Sequence, residues 1–545
     1  MGIFKKDGGK TMKKRLLALM LAAAMTLSMA ACGSSTQETE KPAEEAKTEQ
    51  AAEQSDKKVF VYPADTDVSN LLPNAGSSDS ITAIWQPLYD PLYIIGSDEA
   101  SVRYYLVDQY QVSEDGLNIK LHFNENAKWH DGKAVTVEDL LFTVKYLAEG
   151  ATRTKTTFTK MGNQEIICDK VDDHNVTITL PEYQSSFLTV LGRLHLYPAH
   201  LFNNDVQAVE TSNANMLGVG NGPFKLKEWN KGENIIYEKN PDYYRGEAKI
   251  DELIMKVIPD NSAKEVAFQS GEISCLRITN KEKYDKYSAM DNVSISKTPE
   301  CRVNYFTTNA RSTKITSKEA REAIFYAINL DEIMDTVYGS EQMSQSGKTV
   351  FCDQNLYFAN QMENYRYDLE KAKELAKKTG LDQVTLRYIY NNQRVGIPEV
   401  AVVIQQQLKK AGIDVELVGS DSGPFFKGYF SWMIGETDTS WDLATNGWDS
   451  MQGDPSTQIT SYVGNPEATD CREVTIQTLS EAIHATDEDV RKDKYLEFQK
   501  LLQEDFVIYP ISCPNYVWVT QKGVTGLDTI NSMIPFEDWT LIDIN

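Results

Sequence analysis

The feature that most constrains this fold is the alternation of short strand-like runs with capped, amphipathic helical stretches. It is clearest where the β-rich run Thr385–Tyr390 is followed by an amphipathic stretch at residues 399–411. Gly412, a residue suited to ending a helix, precedes a second β-rich run at residues 413–418. A strand, a helix and a strand in this order are typical of α/β folds. We therefore expect an α/β protein.

Helix caps and further β-rich runs extend the same pattern along the chain. Strand-like runs lie at residues 119–123, 176–180 and 254–258. Capping signals predict three more helices, at residues 136–150, 316–333 and 368–380.

The N-terminus has the composition of an export signal. Lys13, Lys14 and Arg15 precede an apolar run at residues 16–29, which is shorter than the ~20 residues that span a membrane. Two alanines then lead to Cys32, an arrangement that looks like a bacterial lipoprotein signal. We predict that residues 1–31 are a signal peptide and that Cys32 carries a lipid.

The segment that follows the predicted signal peptide lacks the apolar side chains that a folded core requires. Residues 32–58 are polar and charged, without large apolar side chains, so we predict a disordered acidic tether. The folded body then begins near Val59. Without residues 1–31 the chain has 49 basic and 78 acidic residues, a net charge of −29. This charge argues against nucleic acid as a partner, because phosphates require positive charge.

Motifs for catalysis and for metals are missing from the sequence. The six histidines are scattered, and six cysteines beyond Cys32 lack the spacing of a metal site. Gly347-Lys348-Thr349 resembles the end of a phosphate loop, but Gln342 stands where that loop's first glycine belongs. We predict no metal, no cofactor and no enzymatic activity.

Four blocks of sequence together indicate a family. They span residues 112–139, 222–273, 307–329 and 367–455. Their most characteristic motifs are Trp129-His130-Asp131-Gly132, Gly222-Pro223-Phe224, Thr307-Thr308-Asn309 and Asp454-Pro455. The blocks resemble those of the oligopeptide-, dipeptide- and nickel-binding solute-binding proteins of ABC importers (family 5), and they occur in the family's order. Two departures are Asn329 and Asp90, where relatives usually have Asp and Glu.

The resemblance implies a two-lobed periplasmic-binding-protein fold of class II type with an extra domain. Lobe I would comprise residues 59–90, 218–312 and 515–545, the extra domain residues 91–217, and lobe II residues 313–514. The lobes are then discontinuous in sequence and close on the solute by a hinge. The implied protein is a monomer that delivers peptides or peptide-like solutes to the permease and ATPase subunits of an ABC importer. It would lie outside the cytoplasm, held to the membrane by its lipid, or in the periplasm of a cell with two membranes.

The resemblance also indicates where the solute binds. Peptide binders of the family often anchor the terminal amine with an aspartate after a Gly-Trp pair, and Met451 takes that position here. A methionine cannot neutralise a buried ammonium group, so Asp449 would have to substitute or the solute would lack the amine. The predicted ligand-binding residues are Trp448, Asp449, Met451, Thr308, Asn309, Trp441 and Tyr462. A nickel chelate, an opine, an oligosaccharide, or a receptor role without transport stay open as alternatives.

Overall fold

The computed structural model describes residues 57–73, 79–96, 101–149, 158–429, 440–449, 453–463, 470–527 and 538–545. Its strands are β1 (Val59–Ala64), β2 (Tyr93–Ile95), β3 (Val102–Tyr104), β4 (Val107–Val112), β5 (Asn118–Phe123), β6 (Lys160–Met161), β7 (Gln164–Glu165), β8 (Ile167–Lys170), β9 (Asn175–Thr179), β10 (Phe224–Asn230), β11 (Asn234–Lys239), β12 (Glu252–Val257), β13 (Cys275–Ile278), β14 (Val293–Pro299), β15 (Arg302–Thr308), β16 (Ser344–Ser346), β17 (Thr385–Asn391), β18 (Asp414–Ser420), β19 (Leu443–Asp449), β20 (Ile508–Gln521), β21 (Val524–Thr525) and β22 (Asp543–Ile544).

The α-helices connect these strands and cover the sheets. They are α1 (Asp79–Trp85), α2 (Val137–Glu149), α3 (Phe187–Gly192), α4 (Ala208–Thr211), α5 (Asn261–Gln269), α6 (Lys281–Ser288), α7 (Lys318–Tyr326), α8 (Leu330–Ile333), α9 (Leu369–Thr379), α10 (Ile397–Lys410), α11 (Ser422–Tyr429), α12 (Ser456–Val463), α13 (Glu473–His484) and α14 (Glu488–Asp505).

A four-stranded sheet begins the fold, in the order β1-β12-β11-β10. β1 runs parallel to β12, and the other two pairs are antiparallel. Ile235 and Tyr237 alternate with more exposed neighbours along β11, which places one face of this sheet on the apolar core. A second sheet, β4-β5-β9-β8, is antiparallel throughout and belongs to the predicted extra domain. Buried residues of both sheets, such as Tyr237 and Leu121, lie in one continuous core.

The larger sheet has eight strands and is organised around β20. Its main order is β13-β20-β15-β19-β17-β18, and β14 and β16 also pair with β20. Residues 508–512 of β20 pair with β15, whereas residues 515–521 pair with β14, so this long strand changes partners near Pro514. We call the point at which β20 changes partners the joint.

The expected strand-helix-strand unit lies in this sheet and is confirmed. β17 and β18 are parallel and are connected by α10. Asp368 caps α9, its side chain accepting from the Lys371 amide, and Gly380 ends that helix with a positive φ of 77°. A left-handed residue at this position satisfies the last carbonyls of a helix at little cost when it is glycine.

The stretch predicted as one helix over residues 316–333 is wrong in its length. It forms two helices, α7 and α8, and Ser317 rather than Thr316 caps the first. The break arises at Asn329, whose side chain accepts from the Glu332 amide and so starts α8 anew. Asparagine favours such caps because its side chain replaces a missing backbone acceptor.

The predicted domain limits stay a prediction. The sheet to which β15 belongs is relevant to the predicted limit of lobe I. β15, assigned from the sequence to lobe I, pairs with β19 and β20 in the larger sheet. The signal peptide, Cys32 and most of the predicted tether lie outside the described residues. Lys57 and Lys58, the last residues of that tether, pair with Glu252 and Asp543 of the body. Within the described part of the chain, no helix has the length and apolarity to cross a membrane.

Two of the characteristic motifs meet where the chain enters the four-stranded sheet. The His130 amide donates to the Gly220 carbonyl at 2.7 Å, the Gly220 amide donates to His130 Nδ1 at 3.0 Å, and His130 Nε2 donates to the Gly222 carbonyl at 3.1 Å. A Cβ on Gly220 would lie 1.8 Å from the Leu88 carbonyl oxygen, so only glycine fits there. This pattern of bonds requires a neutral imidazole, because Nδ1 acts as an acceptor.

Acid is expected to weaken the fold through His130. Burial lowers the pKa of His130 to about 4, below the ordinary value of 6.5, so the unfolded chain binds a proton that the folded protein excludes between those values. Stability from this group is therefore lost as pH falls from 6.5 to 4, by up to about 3 kcal/mol. His130→Gln should lose less stability than the unmodified protein over this range in urea unfolding. Asp90 and His195 titrate in both proteins, so their contributions to the pH dependence of stability cancel in the comparison. Equal pH slopes of the free energy of unfolding would contradict the assignment to His130.

Candidate ligand-binding site

A cavity lies at the joint of β20, bounded by segments from distant parts of the chain. The space within it, open solvent included, is about 410 Å³. Its lining residues are Arg277, Ile278, Thr279, Glu300, Arg302, Asn304, Tyr338, Met343, Arg394, Val395, Pro514 and Asn515. β13, β15, β20 and the loop after β17 all contribute lining residues. The cavity therefore lies near the point on β20 between its pairing with β15, at residues 508–512, and its pairing with β13, at residues 517–520.

Charged side chains dominate the polar part of this cavity. Arg277 Nη2 lies 2.8 Å from Glu300 Oε2, and Arg302 pairs with the other oxygen of the same carboxylate. Glu300 is only 1% exposed, so two guanidinium groups offset the cost of burying its charge. The Arg277 guanidinium also stacks on the Tyr516 ring at 4.4 Å. With Arg394, the described lining holds three arginines and one carboxylate.

Arg394 reaches toward the aromatic residues beside the larger sheet. Burial raises the pKa of Tyr305, and hydrogen bonds from Tyr429 and Asn446, together with the charge of Arg394, oppose that rise. The hydroxyls of Tyr305 and Tyr429 are 3.0 Å apart. Arg394 therefore acts electrostatically on Tyr305, which packs against Trp448 of β19.

The register of β19 places the Gly-Trp segment next to the cavity. Gly447 lies opposite Asn304 and Asp449 opposite Arg302 in the antiparallel pair with β15. A Cβ on Gly447 would be 2.5 Å from Asn304 Oδ1 and 3.1 Å from Arg302 Cδ, so a larger residue would displace both side chains. Glycine at position 447 is therefore what lets these two polar side chains pack across β19.

One edge of β19 pairs with a neighbouring strand over only part of its length. β15 pairs with all of β19, residues 443–449, on one side, whereas β17 pairs only with residues 443–445 on the other. Among the described residues, no strand pairs with that second edge at residues 446–449. Such an edge is where an extended chain can add as a further strand.

Two of the aromatic residues predicted to bind the solute, Trp448 and Trp441, are buried in this structure. Trp448 is 7% exposed, its ring centre lies 4.1 Å from that of Tyr305, and its Nε1 donates to the Val350 carbonyl at 3.3 Å. Trp441 is 6% exposed and its ring centre lies 5.2 Å from that of Tyr429. Both side chains support the sheet from within one apolar cluster.

Thr308 and Asn309 lie at the other end of β15, beside Trp441. Asn309 Nδ2 donates to the Trp441 carbonyl at 2.7 Å, and its Oδ1 accepts from the Arg311 amide at 3.0 Å. These bonds hold the Asn309 side chain within the protein scaffold. Thr308 is buried, opposite Leu443. Thus the structure brings Thr308, Asn309 and Trp441 together, separate from the end of β19 at Trp448.

The remaining predicted site residues are described only in part. Asp449 and Tyr462 lie in β19 and α12, but their side chains are outside the described atoms, and Met451 lies outside the described residues altogether. The three arginines of the cavity were missed. Arg394 could have been found from the polar run at residues 392–394 that directly follows β17, whereas Arg277 and Arg302 carry no sequence signal of their own.

A set of hydrogen bonds connects the predicted extra domain to the helices below the larger sheet. Arg491 Nη1 donates to the Tyr183 hydroxyl at 2.9 Å, the Ser185 amide donates to the Ile483 carbonyl at 3.0 Å, and the Asp454 amide donates to Thr189 Oγ1 at 3.3 Å. The hydroxyls of Ser185 and Tyr495 are 3.4 Å apart. We call these the closing contacts. Arg491 is buried and also bonds to the Tyr357 hydroxyl at 2.8 Å.

The side chains that could coordinate a metal ion are dispersed among the described residues. No group of three or more His, Cys, Asp or Glu side chains is placed there to hold a metal ion.

The architecture matches that of solved two-lobed binding proteins. The ABC transporter substrate-binding protein CtaP from Listeria monocytogenes superposes with a TM-score of 0.80 at 26% identity, covering 90% of this chain and 100% of that one. AppA from Clostridium difficile gives 0.79 at 28% identity with the same coverage. The expected two-lobed periplasmic-binding-protein fold is thereby confirmed.

The sequence comparison defines the family. The model of bacterial extracellular solute-binding proteins, family 5 (middle part), matches residues 101–470. The dipeptide-binding protein of Escherichia coli K12 is 25% identical over 399 residues, which are 68% of this chain and 71% of that protein. This chain belongs to family 5 of the bacterial extracellular solute-binding proteins, whose members are extracytoplasmic, and the resemblance seen in its motifs is confirmed.

Proposed function

We propose that this protein is a lipid-anchored solute-binding protein that delivers peptides or peptide-like solutes to an ABC importer. It acts without catalysis, as a monomer, by closing its two lobes around the solute. The permease and the ATPase subunits of the importer are its partners. The solute is held between the joint cavity and the end of β19.

The second edge of β19 at residues 446–449 is the observation that carries this proposal. An extended peptide has the same spacing of amide and carbonyl groups as a strand, so it can pair with this edge. Successive side chains of such a peptide point to opposite faces of the sheet. Asp449, Met451 and Tyr462 are proposed to face the solute, whereas Trp448, Trp441, Thr308 and Asn309 support the strands that hold it.

Closure is supported by the joint and by the closing contacts. β20 continues from one part of the molecule to the other, and a strand that changes partners is a place where two bodies can rotate. The closing contacts join Tyr183, in the predicted extra domain, to Arg491, in the helix that precedes β20. A solute in the cleft would be enclosed once they form.

Met451 favours a second candidate within the same function. With no carboxylate at the anchoring position, a solute without a free amine is favoured, such as an N-blocked peptide or a non-peptide of the opine, oligosaccharide or nickel-chelate kind. A ligand-sensing receptor without transport remains a further alternative, and a permease gene next to this one would argue against it.

The first test is native mass spectrometry of the protein purified from cells grown in rich medium. Gentle denaturation releases the bound solute for identification. We expect a ladder of short peptides. A single non-peptide species would contradict the peptide assignment while retaining solute binding, and turnover of added peptides by pure protein would contradict the absence of catalysis.

The lipid anchor is tested separately. Cys32→Ser removes the thiol that the lipid would modify, so we expect the protein to move from the membrane fraction to the soluble fraction. Mass spectrometry of the unmodified chain should show a diacylglyceryl-sized mass on the N-terminal cysteine. Retention of the serine variant in the membrane would contradict lipidation at Cys32.

A further inference from the structure

We infer that a second cavity, at the predicted limit between lobe I and the extra domain, binds the ammonium group of a small primary amine. This inference goes beyond the proposed function, because the second cavity shares no lining residue with the cavity at the joint. The space within it, open solvent included, is about 410 Å³. The lining residues that carry the inference are Gln86, Asp90, Pro91, Ile94, His195 and Pro223.

Gln86 contributes a hydrogen-bond acceptor to the wall of this cavity. The residue is 5% exposed, and its Oε1 atom has no hydrogen-bond partner among the described residues. Burying an acceptor without a donor is costly, and most buried polar atoms in proteins do have a partner. A buried amide oxygen in a cavity wall therefore favours a ligand that donates a hydrogen bond.

Asp90 adds a second acceptor and a negative charge. It is 5% exposed, and the hydroxyls of Tyr243 and Tyr244 donate to its Oδ2 atom at 2.9 and 2.6 Å. None of the described residues donates to its Oδ1 atom. Arg245, whose charge acts on Asp90, bonds instead to the Tyr243 hydroxyl and the Asp538 carboxylate, each at 3.2 Å. A buried carboxylate without a cation in direct contact is costly, which favours a positively charged ligand.

The other walls favour an organic cation over a metal ion or water. Pro91, Ile94 and Pro223 supply apolar surface against which a short alkyl group can pack. Tyr89 also lines the cavity, and aromatic rings attract organic cations. Metal ions such as Ca²⁺ require about six to eight oxygen ligands, and the described residues provide no cluster of that kind.

Among the groups around the cavity, Asp90 is the one that changes charge near neutral pH. Burial raises its pKa to about 7, and the charges of Arg245 and Asp538 act on this pKa in opposite directions. Arg193 is the cation in the lining. Burial, and then the charge of Arg193, lower the pKa of His195 to about 3, so His195 is neutral at neutral pH and brings no positive charge to the cavity.

A proton therefore competes with the amine for Asp90. Below pH 7 the carboxyl group is increasingly protonated and no longer attracts a cation, whereas above pH 7 it is ionised. An alkylammonium stays charged on both sides of this value, as does the lysine ammonium with its pKa of about 10.4. We expect the amine to bind at least about threefold more weakly at pH 6 than at pH 8.

The probe is methylammonium chloride, and the control is tetramethylammonium chloride, which has the same charge but no N–H group. The dependence of the thermal unfolding midpoint of the purified protein on the concentration of each salt gives the two apparent affinities. We expect methylammonium to bind at least about tenfold more tightly at pH 8, because it alone can donate to Gln86 and Asp90. Equal effects of the two salts would mean that the cavity holds only water, and would overturn the inference.

Two variants locate the binding. Gln86→Leu removes the free acceptor at similar size, and Asp90→Asn removes the charge but retains an oxygen for the tyrosine hydroxyls. We expect each to weaken methylammonium binding at least about tenfold, and Asp90→Asn also to abolish its pH dependence. Asp242→Asn, which removes an exposed carboxylate from the neighbouring loop, is the matched control and should leave binding unchanged. Circular dichroism checks that each variant is folded. Unchanged binding in both Gln86→Leu and Asp90→Asn would contradict the assignment to this cavity.

Discussion

Replacing Trp448 by alanine is expected to lower the free energy of unfolding by about 3–5 kcal/mol. The side chain is 7% exposed, packs against Tyr305 and donates a hydrogen bond to the Val350 carbonyl, so its removal leaves a cavity and an unpaired acceptor. The loss of stability is measured by chemical denaturation monitored with far-UV circular dichroism, because this signal does not rely on the removed tryptophan. A residue that only walled the solute cleft would give weaker binding with nearly unchanged stability.

Trp448→Phe is the matched control for this change. The smaller ring retains contact with Tyr305 but lacks the indole N–H, so we expect it to recover more than half of the lost stability. If the alanine variant were as stable as the unmodified protein and bound solute less tightly, Trp448 would belong to the site after all.

Removing three closing contacts is expected to weaken solute binding by roughly 100-fold. The triple variant Tyr183→Phe, Ser185→Ala and Thr189→Val deletes three hydroxyls that meet Arg491, Tyr495 and the Asp454 amide. Each such bond contributes about 1 kcal/mol, and about 3 kcal/mol corresponds to two factors of ten. In the closure proposed above, these bonds form as the lobes meet, so the loss is expected in solute binding.

The affinity is measured by titrating the protein with a peptide that it binds. Small-angle scattering is recorded with and without the same peptide. The triple variant should show a smaller decrease in radius of gyration on adding peptide at a fixed concentration. Tyr146→Phe is the control, because its hydroxyl bonds to Glu210 at 2.6 Å within the predicted extra domain and does not cross between the parts. If control and triple variant bound alike, the contacts would not contribute to closure.

Local signals in the sequence predicted much of the fold. The cap at Asp368, the glycine at 380 and the apolar periodicity of residues 399–411 depend on neighbours within a few residues, so they could be read directly. The prediction of one helix over residues 316–333 was wrong because Asn329 serves as a cap, a choice that the residue type allows but does not force.

The candidate site was harder to predict because it is assembled from distant segments. Arg277, Arg302 and Arg394 are separated by dozens of residues and meet only because β20 pairs with β13 at one end and β15 at the other. Trp448 was placed in the cleft from its motif, yet whether an aromatic side chain faces core or solute depends on what packs over it. That partner, Tyr305, comes from another strand.

The sequence by itself determined the α/β class, the order of the family motifs and the unusual methionine at position 451, since these follow from local periodicity and from residue identity. Only the tertiary structure decided where β20 changes partners, which aromatic residues are core, and that three arginines share a cavity with Glu300. The physical reason is the sequence separation over which each kind of interaction acts. Caps and periodicity act over one or two turns of chain, whereas strand register and charge clustering arise from contacts between residues hundreds of positions apart.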